Sequence, residues 1–416
     1  MPPMPPQKET TPVSSSDNIA AETSSKPIAP AAKGPRPGES PENGNHPVVY
    51  SSGVGFTPSA WQGKYWRIGN TFYDLTPFLD KHPGGRTLLE LARDRFDDAT
   101  FAFESHHHNQ AKVLKMLKLY EVKGVEPKQS HDSNRTFPNL TPEDSFFSDF
   151  RRRATKHLQE KYNGDWGPTD ECMRLFWFFV VVWSVCVYLS VAKGWLLATV
   201  ATGLAGSVLG GFGHSFIHQP PYKWHALSLD IMGFSSHCWF REHLLQHHMY
   251  TNTPLDNHFL GTEPFIRTDP TRARHPFQAY VAPYINFLLI SFGAFANYIA
   301  HTVGLIRGEE EFHIGKLFMP LQIGLYLYYY GLGGGLLRSY IHFGIASVWY
   351  FTIALLNHNS LQCVDVQAKN TAVDWGHAQL LSSSDIAVGS TFYSSIKYVC
   401  PPVIFFSLDL FLCDLL

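Results

Sequence analysis

Seven of the chain's 21 histidines fall between His214 and His248. His214 and His218 close an apolar run in HSFIH, and their i, i+4 spacing puts both imidazoles on one face of a helix. The segment REHLLQHHMYTNT adds His243 and His247 at the same spacing, with His248 turned one position round toward a neighbouring site. Imidazoles at the edge of apolar segments are costly unless they pair or bind something. Neutral imidazole is a ligand suited to iron, so the five rings point to a grip for two metal ions. His225 and His237 fall outside this register and read as hydrogen-bonding or supporting groups.

A second pattern lies upstream. His82 opens HPGG, where Pro83, Gly84 and Gly85 make a tight turn that lets backbone approach a flat cofactor. His107 follows 25 residues later, after a helical stretch containing Leu88, Leu89, Leu91 and Ala92. Two imidazoles saturate the axial positions of a haem iron and leave an electron carrier. His106 and His108 flank His107, so the register of the second ligand stays open between neighbours.

Elements must hold these groups. Residues 1–47 carry 11 of the 28 prolines and no aromatic residue or Leu, a composition that cannot offset chain entropy and reads as disordered. The first 25 residues suit neither a signal nor a transit peptide, so the N-terminus is expected in the cytosol. Residues 48–125 read as a small α+β domain, and 126–170 as a polar linker and juxtamembrane helix bearing Arg151, Arg152, Arg153, Lys156 and Lys161. Only 16% of residues are charged while 14% are aromatic. Charge-free stretches run over 175–192, Gly194–Gly213, Pro276–Ile306, Leu317–Leu337 and Ser339–Val364, with a Gly-rich break at Gly331–Gly335. About 20 apolar residues span a bilayer. These runs predict an all-α integral membrane domain over 171–390 with about four transmembrane helices and interfacial segments, followed by an atypical apolar tail at 391–416. A formal net charge of −2 gives no electrostatic footprint for nucleic acid. The six cysteines are scattered without paired or C-x-x-C spacing, which excludes a disulfide scaffold.

WRIGNTFYDLTPFL before HPGG and DATFAF before the second histidine make residues 48–125 resemble the cytochrome b5 haem domain. In that family the second ligand follows a stretch like DATFAF, which selects His107. HxxxH followed by HxxxHH on membrane helices, behind such a domain, resembles the membrane fatty-acid desaturases. The module order and EHLLQHHMYTNT narrow the likeness to the front-end acyl-lipid desaturases that carry their own b5 domain. The resemblance implies haem b and a centre of two non-haem irons held by His214, His218, His243, His247, His248 and His358, the last from LLNHNS. It also implies O2 as co-substrate, a fatty acyl chain in the lipid bilayer as substrate, and NADH-cytochrome b5 reductase as electron donor. The expected location is the endoplasmic reticulum membrane, with the b5 domain and the histidine boxes on the cytosolic side.

The likeness runs to about Ser390. The Gln-x-x-His-His box that the family carries after the last helices is absent from these 416 residues, and no histidine follows His377. His377 or Asp385 would then have to substitute, and desaturation by this polypeptide is not implied. A lipid hydroxylase or sphingolipid desaturase using the same di-iron chemistry fits the same boxes. A membrane-tethered haem electron carrier with an inactive desaturase-like domain fits the missing box.

Overall fold

The computed structural model describes residues 64–95, 99–107, 110–125, 143–162, 167–252, 256, 258, 265–267, 273–307, 310–358, 363 and 374–383. The segments 1–47 and 391–416, and Asp385, lie outside them.

Residues 66–73 fold as an antiparallel pair, β1 (Trp66–Ile68) and β2 (Thr71–Tyr73), with Trp66 opposite Tyr73. The two-residue connection needs a backbone with positive φ, which Gly69 supplies at 60°. The Gly69 N–H donates to Thr100 Oγ1 at 2.6 Å and ties the hairpin to the helix that follows. A 3-10 turn over Thr76–Lys81 delivers His82, and α1 (Arg86–Arg95), α2 (Thr100–His106) and α3 (Gln110–Leu117) complete the domain. Trp66, Leu79, Phe101, Phe103 and Leu117 form its core. Trp66 Nε1–H donates to the Leu89 carbonyl at 2.7 Å, so this large ring is buried with its polar atom satisfied.

Helix α4 (Phe146–Tyr162) leads to α5 (Asp170–Ala192). Thr169 caps α5 by accepting from the Cys172 N–H at 3.2 Å, and Asp170 and Glu171 sit where the helix dipole favours negative charge. At about 1.5 Å per residue, its 23 residues reach across a hydrocarbon core. Gly194, at φ 73°, turns the chain back into α6 (Leu196–Ile217). Trp177, Phe178, Val181, Val185 and Tyr188 leave an exposed apolar stripe on α5, while most of α6 is buried against α5, the 225–232 segment and the long helix Phe318–His358.

Among the described residues, α5 and α6 are long and apolar enough to cross a membrane, and Ala282–Ser291 with Gly293–Ile306, bent by 61°, makes a third if counted as one span. The count of about four is therefore not reached by length and composition. The long helix Phe318–His358 breaks at Gly331 (φ 64°), inside the Gly-rich break that the sequence shows.

Within α4, Arg151 is buried over the Phe147 ring at 4.2 Å, while Arg152 and Arg153 pair with Asp149 on the surface.

Candidate functional site

The first histidine box owes its position to glycine. A Cβ at Gly210 would overlap Met232, and one at Gly213 would overlap the Leu229 backbone nitrogen. The 3-10 segment His225–Met232 can thus lie directly on the last turns of α6. His214 is buried in the last turn of α6, with His218 as its C-cap.

The second box folds as a π-helix, Phe240–His247, in place of the α-helical register that its i, i+4 spacing predicts. A π-turn brings i and i+5 together. His243 is accordingly flanked by both His247, at 5.1 Å between ring centroids, and His248, at 4.2 Å. His243 Nε2 lies 2.6 Å from His214 Nε2 and 2.7 Å from His248 Nε2. The His218 ring stands 4.9 Å from His248, and the His358 ring 4.8 Å from His247. All six histidines assigned to a di-iron centre therefore converge, from α6, the π-helix and the end of the long helix. His225 packs among Phe176, Phe216 and Tyr222, and His237 stacks on His313 at 5.3 Å. His377 packs against Phe146 at 5.2 Å.

Three residues outside the histidine boxes also belong here. His258 places its ring 4.3 Å from His247 and 4.5 Å from Trp239. Asp256 is buried and takes His247 Nδ1 on both oxygens, at 3.0 and 2.9 Å. Asn252, at φ 56°, donates from Nδ2 to the carbonyls of His358 (2.7 Å) and Ser382 (2.9 Å), stapling the second box to the long helix and to the helix Trp375–Leu381. Asn tolerates this left-handed backbone better than other side chains. The clue in the sequence was the short polar run after HHMYTNT, which has no helical period.

The arrangement suits metal. Candidate ligand atoms lie within 4.8 Å of one another in the triads His214–His218–His243 and His243–His247–His258. Burial, followed by the repulsion of neighbouring imidazoles, holds His243 and His258 well below the usual imidazole range, so both keep lone pairs available near neutrality. His243 Nδ1 and His258 Nε2 are buried without a hydrogen-bond partner among the described residues. A buried imidazole nitrogen without a protein partner is a group that a metal ion could satisfy.

A third triad, Cys238–His301–Glu310, is buried nearby. Glu310 already meets His301 Nδ1 at 2.8 Å and Lys316 Nζ at 3.0 Å, and Arg241 approaches to 4.0 Å. With two cations in place, this cluster braces the π-helix rather than recruiting another cation.

In the N-terminal domain the His82 and His107 rings face each other at 6.0 Å. With metal–imidazole bonds of about 2 Å, that separation suits one iron between them. His107 Nδ1 donates to the Phe103 carbonyl and His106 Nδ1 to the Ala102 carbonyl, each at 2.8 Å. His82 Nδ1 and His106 Nε2 are buried without partners among the described residues. A Cβ on Gly84 would crowd the His82 ring, which accounts for glycine there.

The two centres share one core. Leu245 and Met249, beside the second box, pack in the same cluster as Trp66, Phe101 and Phe103. Trp375 stacks on Phe101 at 6.2 Å, meets Phe147 at 5.1 Å and donates from Nε1 to the Met249 carbonyl at 3.2 Å.

The Cytochrome b5-like Heme/Steroid binding domain profile matches residues 60–125. The chain is 26% identical over 370 residues to a probable Delta(5) fatty acid desaturase C of Dictyostelium discoideum, covering 79% of this chain and 78% of that protein. It is 28% identical to an acyl-lipid (8-3)-desaturase B of the same organism, covering 52% of this chain and 48% of that protein. It is also 28% identical to a cytochrome b5-related protein of Drosophila melanogaster, covering 52% of this chain and 49% of that protein. No solved structure matches. A b5-like domain thus stands in front of a helical domain with two or three candidate membrane spans, and the chain is similar over most of its length to a protein named as a fatty acid desaturase, a class of oxidoreductase.

Proposed function

We propose that the chain desaturates fatty acyl chains of membrane lipids with O2, inserting the new double bond between the carboxyl end and those already present. The observation that carries this reading is the convergence of His214, His218, His243, His247, His248 and His358 in one buried pocket whose core is continuous with a b5-like domain. Two non-haem irons would supply O2 activation at these imidazoles, and a haem between His82 and His107 would supply one-electron transfer.

The protein's own part is positional. Asp256 fixes His247 with the proton on Nδ1, leaving Nε2 for metal. Asn252 holds His358 against the second box. The apolar residues around the imidazoles, Trp239, Leu244 and Met249 among them, exclude water. NADH-cytochrome b5 reductase fits as the electron source, with the endoplasmic reticulum membrane as the location and the cytosolic face as the side of both centres. Fusion makes each reduction nearly intramolecular.

The test is expression in a host fed polyunsaturated acyl precursors, with products identified by mass spectrometry. With a Gln-x-x-His-His segment supplied after Ser390, a new double bond on the carboxyl side, lost again in His247→Ala, is the expected result. An inserted hydroxyl would favour the hydroxylase reading. Full haem content without non-haem iron would favour the electron carrier.

A further inference from the structure

We infer that His258 is an iron ligand, forming with His243 and His247 a three-imidazole site in which Asp256 is the positioning residue. This rests on the di-iron reading of the same pocket.

His258 lies outside both histidine boxes, yet its candidate ligand atom is within 4.8 Å of those of His243 and His247. Its ring lies 5.3 Å from His243 and 4.3 Å from His247, nearly parallel to both at 21° and 27°. Its Nε2 is buried and unpartnered among the described residues, a costly arrangement for a ring that could turn outward. Two contacts keep it in place. Trp239 stacks on one face at 4.5 Å, and the His258 backbone N–H donates to Asp256 Oδ1 at 2.9 Å.

Asp256 joins the parts. The same carboxylate that receives His247 Nδ1 also receives the backbone N–H of Asn252 and of His258. Orienting one imidazole and anchoring the segment that presents the other is the role a carboxylate plays behind metal-bound histidine. A ring present only for packing would not need a buried, unsatisfied nitrogen with a ligand atom within 4.8 Å of those of two other imidazoles.

The full chain, haem-loaded and purified in detergent, is stripped of non-haem metal and titrated with Co(II), following its visible ligand-field bands. Separately, non-haem iron per haem is measured after Fe(II) loading. Wild type should take up two metal ions per haem. His258→Ala should take up about one, and His258→Asp, which restores a ligating atom, should recover part of the second. Asp256→Asn should keep the stoichiometry but weaken the second Co(II) by about 10- to 100-fold and shift its bands. His313→Ala, outside the pocket, should match wild type. An unchanged haem spectrum in every variant guards against misfolding. Two irons and wild-type Co(II) bands in His258→Ala would overturn the inference while leaving the di-iron reading intact. No non-haem metal in the wild type would remove the di-iron reading itself.

Discussion

His82 is the residue on which the haem assignment turns. Its ring lies between Gly84 and the opposed His107, and its Nδ1 has no hydrogen-bond partner among the described residues. His82→Ala should abolish the low-spin Soret spectrum of the haem-loaded chain, because one axial imidazole cannot sustain it. His107→Ala should behave likewise. His106→Ala should leave the spectrum in place, since the 6.0 Å facing pair is His82 with His107. A spectrum lost in His106→Ala and kept in His107→Ala would move the ligand by one residue.

Helix packing decides whether the boxes meet. Gly213 precedes His214 and touches the backbone of Leu229, so Gly213→Val must push the 225–232 segment off α6. Overpacking of this kind costs about 1–3 kcal/mol. Thermal unfolding in detergent should show that loss, accompanied by reduced non-haem iron. Asn252→Gly, which keeps the positive φ without strain, should act differently. It removes two hydrogen bonds that link the second box, His358 and Ser382, while leaving the helices packed. Iron affinity should fall with a much smaller change in unfolding temperature, as metal titration and a melt on the same sample would show.

Across the whole molecule, the haem domain and the imidazole pocket meet through α2, Trp375 and Met249. Buried Arg151 lies in the field of Glu104 on α2 and of Asp374 beside Trp375, and burial lowers its affinity for a proton below that of a free guanidinium. Trp375→Ala should leave both cofactor contents unchanged yet slow haem reoxidation by O2 in a single-turnover stopped-flow experiment, because the packed route between the centres is gone. An unchanged rate would show that transfer does not depend on this contact. A shared core also requires both centres to be on one side of the bilayer. An α5–α6 pair that crossed and returned would satisfy this, as the proposed function requires. In sealed vesicles with the cytosolic face outward, protease should reach the haem domain.

The amino-acid order by itself determined which residues are competent for chemistry and roughly where they stand along the chain. HPGG, HSFIH, REHLLQHH and LLNHNS are local signals, and apolar length marked α5 and α6 because bilayer thickness is a one-dimensional constraint. Other features depended on tertiary packing. The i, i+4 spacing of His243 and His247 could not reveal a π-helix that also brings His248 onto His243, since register widens only when neighbouring helices demand it. The burial of Arg151 near Glu104 was not legible either, because a basic run has the same composition whether its members are exposed or buried. His258 and Asp256 stand outside both histidine boxes in the sequence and share no helical period with them. Their place beside His247 shows only in tertiary contacts, where Asp256 accepts from the Asn252 N–H, His258 stacks on Trp239, and Asn252 reaches the His358 carbonyl from a hundred residues away.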